Sequence, residues 1–286
     1  MLSYVDRVQL VVPDRAVAVR TWQALFDAIE VGEDASAALN ARRTTVQAGS
    51  SLFEFLEPAG DGPVRVFADE WGQGLYGVGF AADVDRMARH LDSERVAFTR
   101  EGTSLVLGPL TTHGMPTTIV PETPREPLGL ISHVYEVTNP VDDWQDTAGL
   151  YTRIFDLDPF QFSRIASTQY GYDGTLTLFD PPRRLDRIEI TQTSGGGAMD
   201  RFFRRRGPSL YMCYVETADV DALAARLRSQ GARFAESEGQ PSGTGLFVHP
   251  SSLFGMLMGV SVKDYAWSWS GHPELVPAQY AGRPAN

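Results

Sequence analysis

Val5, Val8, Leu10 and Val12 interleave with Asp6, Arg7 and Gln9, the near-alternation of a half-buried strand. Pro13-Asp14 then ends the alternation, with Asp14 placed to cap a helix over Ala16 to Phe26. Thr44 to Ala48 and Leu52 to Leu56 read as two further strands, joined by Gly49-Ser50-Ser51. Near the other end of the chain, Gly245 to Val248 and Met256 to Val262 read as a strand pair joined through His249 to Gly255. Strand, helix and strands in that order predict a βαβββ unit. Such a unit cannot bury its sheet face alone, so units should pair.

The pattern recurs. Gly74 to Phe80 and Ser209 to Val215 are strand-like runs, each followed by Asp-Val-Asp (Asp83 to Asp85; Asp219 to Asp221) and then by helical spacing, Met87 and Leu91 in one copy, Leu223 and Leu227 in the other. Tyr4 to Asp14 resembles Leu130 to Pro140, a match that sets Arg7 against His133. The helices that follow end on Leu25-Phe26-Asp27 and Ile154-Phe155-Asp156. The chain is therefore four modules in the order A-B-A′-B′. The proline-rich run Pro121 to Pro127 divides it into halves, 1–126 and 127–262, and Gly195-Gly196-Gly197 separates the third and fourth modules. Residues 263–286 show no period and are expected to wrap the surface as a tail; Trp267 and Trp269 there either lid a pocket or pack as a cap.

Composition narrows the partners. Among 286 residues, 43% are hydrophobic and 21% charged, a globular balance. Lys and Arg number 25 against 36 Asp and Glu, and a net charge of −11 opposes phosphate backbones and anionic lipid, so neither nucleic acid nor membrane is an expected partner. One cysteine forms no intrachain disulfide, no leader is legible, and no apolar run is long enough to span a bilayer. The expectation is a soluble cytoplasmic protein acting on a small molecule, with exposed sheet edges leaving a homodimer open.

The four βαβββ modules resemble the vicinal oxygen chelate superfamily, which includes glyoxalase I, methylmalonyl-CoA epimerase, extradiol dioxygenases and bleomycin-resistance proteins. Phe202 to Gly207 running into Ser209-Leu210-Tyr211, Phe247-Val248-His249-Pro250 and Gly255 to Val260 are similar to the second module of epimerase-like members, and Leu52 to Pro58 to the end of their first. The resemblance covers about residues 3 to 262. It implies an α+β fold of two glyoxalase-like domains, each a cupped mixed sheet, with functional groups on the concave face of first and last strands.

The resemblance also implies where ligands would sit. Family metals take His or Gln from first strands and Glu from last strands, donors that suit Fe, Mn, Ni or Zn. In the first half the matching positions are Arg7, Glu54, Gly77 and Thr118. Arg7 either holds an anionic substrate group or pairs with Glu54 in a degenerate cup. In the second half they are His133, Glu189, Met212 and Gly259, only half a ligand set; His133 and Glu189 would be the metal ligands if a metal binds. Without metal, Glu189 and His133 on adjacent strands form an acid/base dyad. Tyr135 and Tyr214 share the inward parity and offer hydroxyls, Arg187 can hold a substrate anion or an ion pair, and strict alternation puts Glu136 on the opposite face. Cys213 and Tyr211 read as packing residues. Arg204-Arg205-Arg206 suits a helix C-terminus or clamps a substrate anion. The functional reading is a lyase, isomerase or epimerase moving a proton on a small oxygen-rich or aromatic metabolite in the second cup, without a complete metal site and with no confident cofactor. Its rivals are a binding protein of the bleomycin-resistance type and an extradiol-type dioxygenase.

Overall fold

Four aspartates start the main helices. The carboxylates of Asp14, Asp83 and Asp219 each accept a backbone N–H at 2.9 Å, opening α1 (Arg15–Phe26), α3 (Val84–Ser93) and α6 (Val220–Ser229). Asp143 accepts two, at 2.8 and 3.1 Å, and opens α4 (Trp144–Phe155). The Asp-Val-Asp repeat is thus a cap followed by an acidic first turn, where the helix dipole favours negative charge. Asp27 and Asp156 end α1 and α4 in the left-handed conformation, at φ of 55° and 54°, which aspartate tolerates better than most residues. Two further helices, α2 (Pro63–Trp71) and α5 (Gly197–Arg206), precede the second module of each half.

The computed structural model describes residues 2–237 and 240–280. The strands form two eight-stranded sheets. In the first half they are β1 (Tyr4–Val11), β2 (Ile29–Ser36), β3 (Ala41–Ala48), β4 (Ser51–Pro58), β5 (Gly74–Ala82), β6 (Thr99–Glu101), β7 (Ser104–Leu107) and β8 (Thr117–Pro121), in spatial order β2-β3-β4-β1-β5-β8-β7-β6. The second half repeats this with β9 (His133–Pro140), β10 (Phe162–Ser167), β11 (Tyr172–Leu178), β12 (Arg187–Thr193), β13 (Met212–Thr217), β14 (Phe234–Glu236), β15 (Gly245–Val248) and β16 (Leu257–Val262), in the order β10-β11-β12-β9-β13-β16-β15-β14. Each sheet is mixed: β1–β4, β5–β8, β12–β9 and β13–β16 are parallel, while β1–β5 and β13–β9 are antiparallel. This is the expected α+β architecture of paired βαβββ modules.

The helices cover the convex faces, where Trp22, Phe26, Tyr151 and Phe155 are buried in one apolar core that runs through both halves. The halves exchange loops. Tyr151 donates to Thr112 O at 2.9 Å, and Phe254 lies 6.2 Å from the Trp22 ring. Gly114, at φ 85°, sits so close to the Pro208 carbonyl that no Cβ would fit. Backbone bonds close the seam, Ser50 N to Ser132 O at 2.7 Å and Gly49 N to Leu128 O at 2.6 Å.

One expectation needs correcting here. The segment after β16 runs along the surface only from Gly271 on; its first part is buried. Tyr265–Trp269 forms a 3-10 turn that drops onto the concave face of the second sheet, where Ala266 and Trp267 pack with Tyr135, Ile165, Leu176, Leu178 and Leu185. The aromatic residues drive this, because the concave face offers them apolar walls that solvent does not. The last six residues, 281–286, lie outside the described residues. Among the described residues no helix is long and apolar enough to cross a membrane.

Candidate functional site

Strand register decides what each cup contains. Across the antiparallel pair β13–β9, Tyr214 opposes Glu136 but Val215 opposes Val134, so Tyr135 is an extra residue, a β-bulge. The bulge turns both Tyr135 and Glu136 onto the concave face. Tyr135 joins the apolar cluster of the second cup, and Glu136 sits beside Arg187 in the parallel register of β9 and β12. Strict alternation had put Glu136 on the far face; the bulge overturns that expectation.

The same register separates the expected dyad. Glu189 lies opposite Thr138, not His133, five residues along β9. At about 3.3 Å per residue that is roughly 16 Å. His133 instead stands at the start of β9, its Nδ1 4.0 Å from Glu216 Oε2. The His133–Glu189 pair does not form. The sequence held a signal that locates the fault. Asp14 and Asp143, Phe26 and Phe155, and Asp27 and Asp156 are all 129 positions apart, whereas matching Arg7 with His133 uses 126. At the helix spacing Arg7 corresponds to Glu136 and Gln9 to Thr138, and Asp6 corresponds to Tyr135, each the extra residue of its strand.

The second cup therefore centres on Glu136, Arg187, Glu189 and Thr138. Arg187 is fully buried; its Nε donates to Glu136 Oε2 at 2.6 Å and its Nη1 to Leu185 O at 3.4 Å. Its guanidinium carbon lies 5.0 Å from the centre of the Tyr135 ring, within cation–π range. Among the described residues Nη2 has no hydrogen-bond partner. Thr138 Oγ1 donates to Glu189 Oε2 at 2.5 Å, and the Tyr172 hydroxyl also bonds Glu189. Burial and then the charge of Glu136 push the Glu189 carboxyl up to about 8, while Thr138, Arg187 and Tyr172 pull the other way. Arg187 bonds Glu136 directly, and Glu189 is the carboxyl whose protonated form the burial favours.

The aromatic wall is continuous. The Tyr135 and Tyr214 ring centres are 5.9 Å apart, Tyr214 and Phe247 5.7 Å, and Tyr214 and Trp269 6.4 Å. The Tyr135 hydroxyl meets Ser261 Oγ at 3.1 Å. Burial drives the Tyr135 and Tyr214 hydroxyls well above the usual phenol range, so both stay protonated. Met212 lies beside Thr138, and Gly259 lies under the Tyr214 ring, where a Cβ would clash. Thr138, Tyr172, Ser261 and Glu216 were not singled out from sequence; only the three-dimensional register brings them to this face.

The metal set implied by the family resemblance does not assemble. Gly259 has no donor, Met212 is a thioether, and His133 and Glu189 stand at opposite ends of the cup. Among the described residues no group of three or more His, Cys, Asp or Glu is placed to hold an ion.

The first cup is locked by its own charges. Arg7 Nη1 bonds Glu54 Oε1 at 2.5 Å, and its Nε and Nη2 reach Asp6 Oδ2 at 2.8 Å. Gln9 Nε2 donates to Glu54 Oε2 at 2.8 Å, and Arg43 approaches the same oxygen at 3.7 Å. Burial opposes ionisation of Glu54, but the Arg7 and Arg43 guanidiniums outweigh it and hold the carboxyl below its usual range. Of the two readings for Arg7, the geometry is that of the ion pair. Gly77 packs against the Gln9 side chain and Thr118 is buried beside Gly79, so neither presents a ligand group.

The packing residues behave as such. Cys213 is buried with Sγ 3.6 Å from Met256 Sδ, and burial pushes its thiol up. Tyr211 stacks edge-on with Phe202 of α5 at 5.0 Å. Arg206, at the end of that helix, lies over the rings of Trp71, Phe67 and Phe202. Surface cavities of about 480 and 360 Å³ in the first half are lined by residues of neither cup.

No protein-family model matches the chain, and no curated protein matches it. Solved structures do. A triple mutant of 4-hydroxymandelate synthase from Streptomyces coelicolor superposes with a TM-score of 0.70 at 14% identity, over 92% of this chain and 93% of that one. Methylmalonyl-CoA epimerase from Mycobacterium tuberculosis matches at 22% identity over 46% of this chain and 89% of its own, with a TM-score of 0.40. An epimerase in complex with methylmalonyl-CoA and NH4+ matches at 19% over 44% and 100%, with 0.39. The two-domain fold of the synthase is thus shared along nearly the whole chain, and at 14% identity that likeness is one of fold.

Proposed function

We propose that the chain is an enzyme whose second cup moves a proton next to a carbonyl group, with Glu189 as the acid/base group. The observation that carries this is the carboxyl itself: buried, facing the cup, and pushed up to about 8 beside Glu136, where it can release and regain a proton near neutral pH. Thr138 and Tyr172 fix its orientation, and their hydroxyls oppose further rise. The protonated Tyr214 hydroxyl, on the neighbouring strand, is available to an oxygen that gains charge as the C–H bond breaks. The Tyr135 hydroxyl pairs with Ser261, and its ring serves as wall. His133 lies too far along β9 to share in the step. The reaction class is isomerase, epimerase or lyase, all of which begin with such a proton transfer.

The test is solvent exchange. The protein in D2O is mixed with small carbonyl compounds bearing acidic C–H bonds, including 2-oxo acids, acyl thioesters and cyclic ketones, and deuterium uptake is followed by mass spectrometry. Uptake with the wild type should fall by about 10²- to 10⁴-fold in Glu189→Gln. Equal uptake in both would refute the role. One observation favours a second reading, ligand binding without turnover: Trp267 and Ala266 fill part of the same cup. Tight binding of a compound that shows no exchange in any variant would support it.

A further inference from the structure

A guanidinium has five N–H donors, and burying one without an acceptor is unfavourable. Arg187 is 0% exposed, so water does not serve its Nη2, and among the described residues no protein group does either. The first cup shows the contrast. Arg7, at the position that corresponds to Glu136, places Nε, Nη1 and Nη2 on Asp6 and Glu54. One cup is electrostatically complete and the other lacks an acceptor.

The missing acceptor has a defined setting. Arg187 shares the concave face with Leu178, Glu136 and Glu189, and its guanidinium lies over the Tyr135 ring. Glu136 bonds Nε of Arg187, and burial favours the protonated form of Glu189, so Nη2 is left to face one further acceptor. Around it stand Tyr135, Tyr172, Tyr214 and Leu176, walls for a flat or apolar body. A cationic ligand would meet the guanidinium; a neutral one would leave the charge-assisted bond unformed.

We propose that the second cup takes a monoanionic organic acid, its carboxylate or enolate oxygen accepting from Nη2 of Arg187 and its body lying against the tyrosines. The proposal names the substrate class for the acid/base reading of the same cup and rests on that reading only for the choice of cup. Entry requires the Tyr265–Trp269 turn to lift, because Trp267 and Ala266 pack in the same cluster as Tyr135, over which the guanidinium lies. That turn is held at its start by the Asp264 N–H on the Glu216 carboxylate at 2.9 Å.

Isothermal titration of the full chain at pH 7 with sodium benzoate and with benzamide tests this. Benzoate should bind at least about tenfold tighter than its neutral amide, since a charge-assisted bond is the stronger. Trp267→Ala, which removes the cover, should bind benzoate at least as well as the wild type. Arg187→Met together with Glu136→Gln removes the buried pair as a unit, so that neither charge is stranded. Shown folded by circular dichroism, that variant should lose at least about tenfold in benzoate affinity. Failure of benzoate to bind both wild type and Trp267→Ala overturns the proposal. So does equal affinity for benzamide, or unchanged benzoate affinity in the double variant. Glu189→Gln keeps Arg187, so it should retain benzoate binding whether or not it abolishes deuterium exchange; the two readings therefore fail separately.

Discussion

Glu189→Gln should make the folded chain more stable at neutral pH, and by an amount that depends on pH. The Glu189 carboxyl is raised from an ordinary 4.5 to about 8 in the fold by burial and by Glu136. Between those limits the folded state holds a proton that the unfolded state has released, so stability falls as pH rises. At pH 7 the penalty is about 3 kcal/mol, and it levels off near 4–5 kcal/mol above pH 8. Glutamine has nearly the same shape, stays neutral, and keeps an oxygen for Thr138, so it escapes the penalty. Urea unfolding of both proteins at pH 4.5, 7 and 8.5 measures it. The difference should be near zero at pH 4.5 and open to about 3 kcal/mol at pH 7. Other carboxyls, such as Glu216 and Asp186, titrate in both proteins and cancel in the difference. A difference that does not change with pH, or a variant less stable than wild type at pH 7, would refute the assignment of the raised carboxyl to Glu189.

Other outcomes follow from the same geometry. Arg187→Met alone leaves Glu136 buried and unpaired and should cost about 3–5 kcal/mol in chemical denaturation, much of it recovered when Glu136→Gln is added. Asp143→Ala removes the cap that accepts two backbone N–H groups and should cost about 1 kcal/mol, visible as a lower Tm with an unchanged circular dichroism spectrum. Trp267→Ala empties a site that is 4% exposed and should cost about 3 kcal/mol by urea titration. Because the donor positions of the second cup do not converge, Fe(II) or Zn(II) at equimolar concentration should leave Tm unchanged in differential scanning calorimetry; a rise of several degrees would show that a site had been missed.

Much of the fold was legible because its signals are local. The capping aspartates sit next to the helices they start, and the strands Ser51–Pro58 and Gly245–Val248 lie where alternation and turn residues place them. The weak point was β2, Ile29–Ser36, an edge strand exposed along nearly its whole length, which carries no buried stripe to betray it. The site was legible only in part. Glu189, Arg187, Tyr135 and Tyr214 do share the second cup, whereas His133 belongs to its far end and Glu136 was assigned to the wrong face. The extra residue in β9 accounts for Glu136, since the side-chain period of a strand is two and a single insertion inverts every later position, whereas His133 was misplaced because the halves were matched 126 rather than 129 positions apart.

The amino-acid order by itself determined four modules, their pairing into halves, the helix starts and the apolar faces, because periodicity and capping act over a few residues. It also held the 129-residue spacing that fixes the correct match between halves. What only the tertiary structure decided was the content of the cup: which carboxyl meets Arg187, which one is favoured in its protonated form, and that the C-terminal turn enters the concavity. Those depend on how one strand registers against another and on how much water is excluded. Both are properties of neighbours far apart in the chain, and no local pattern records them.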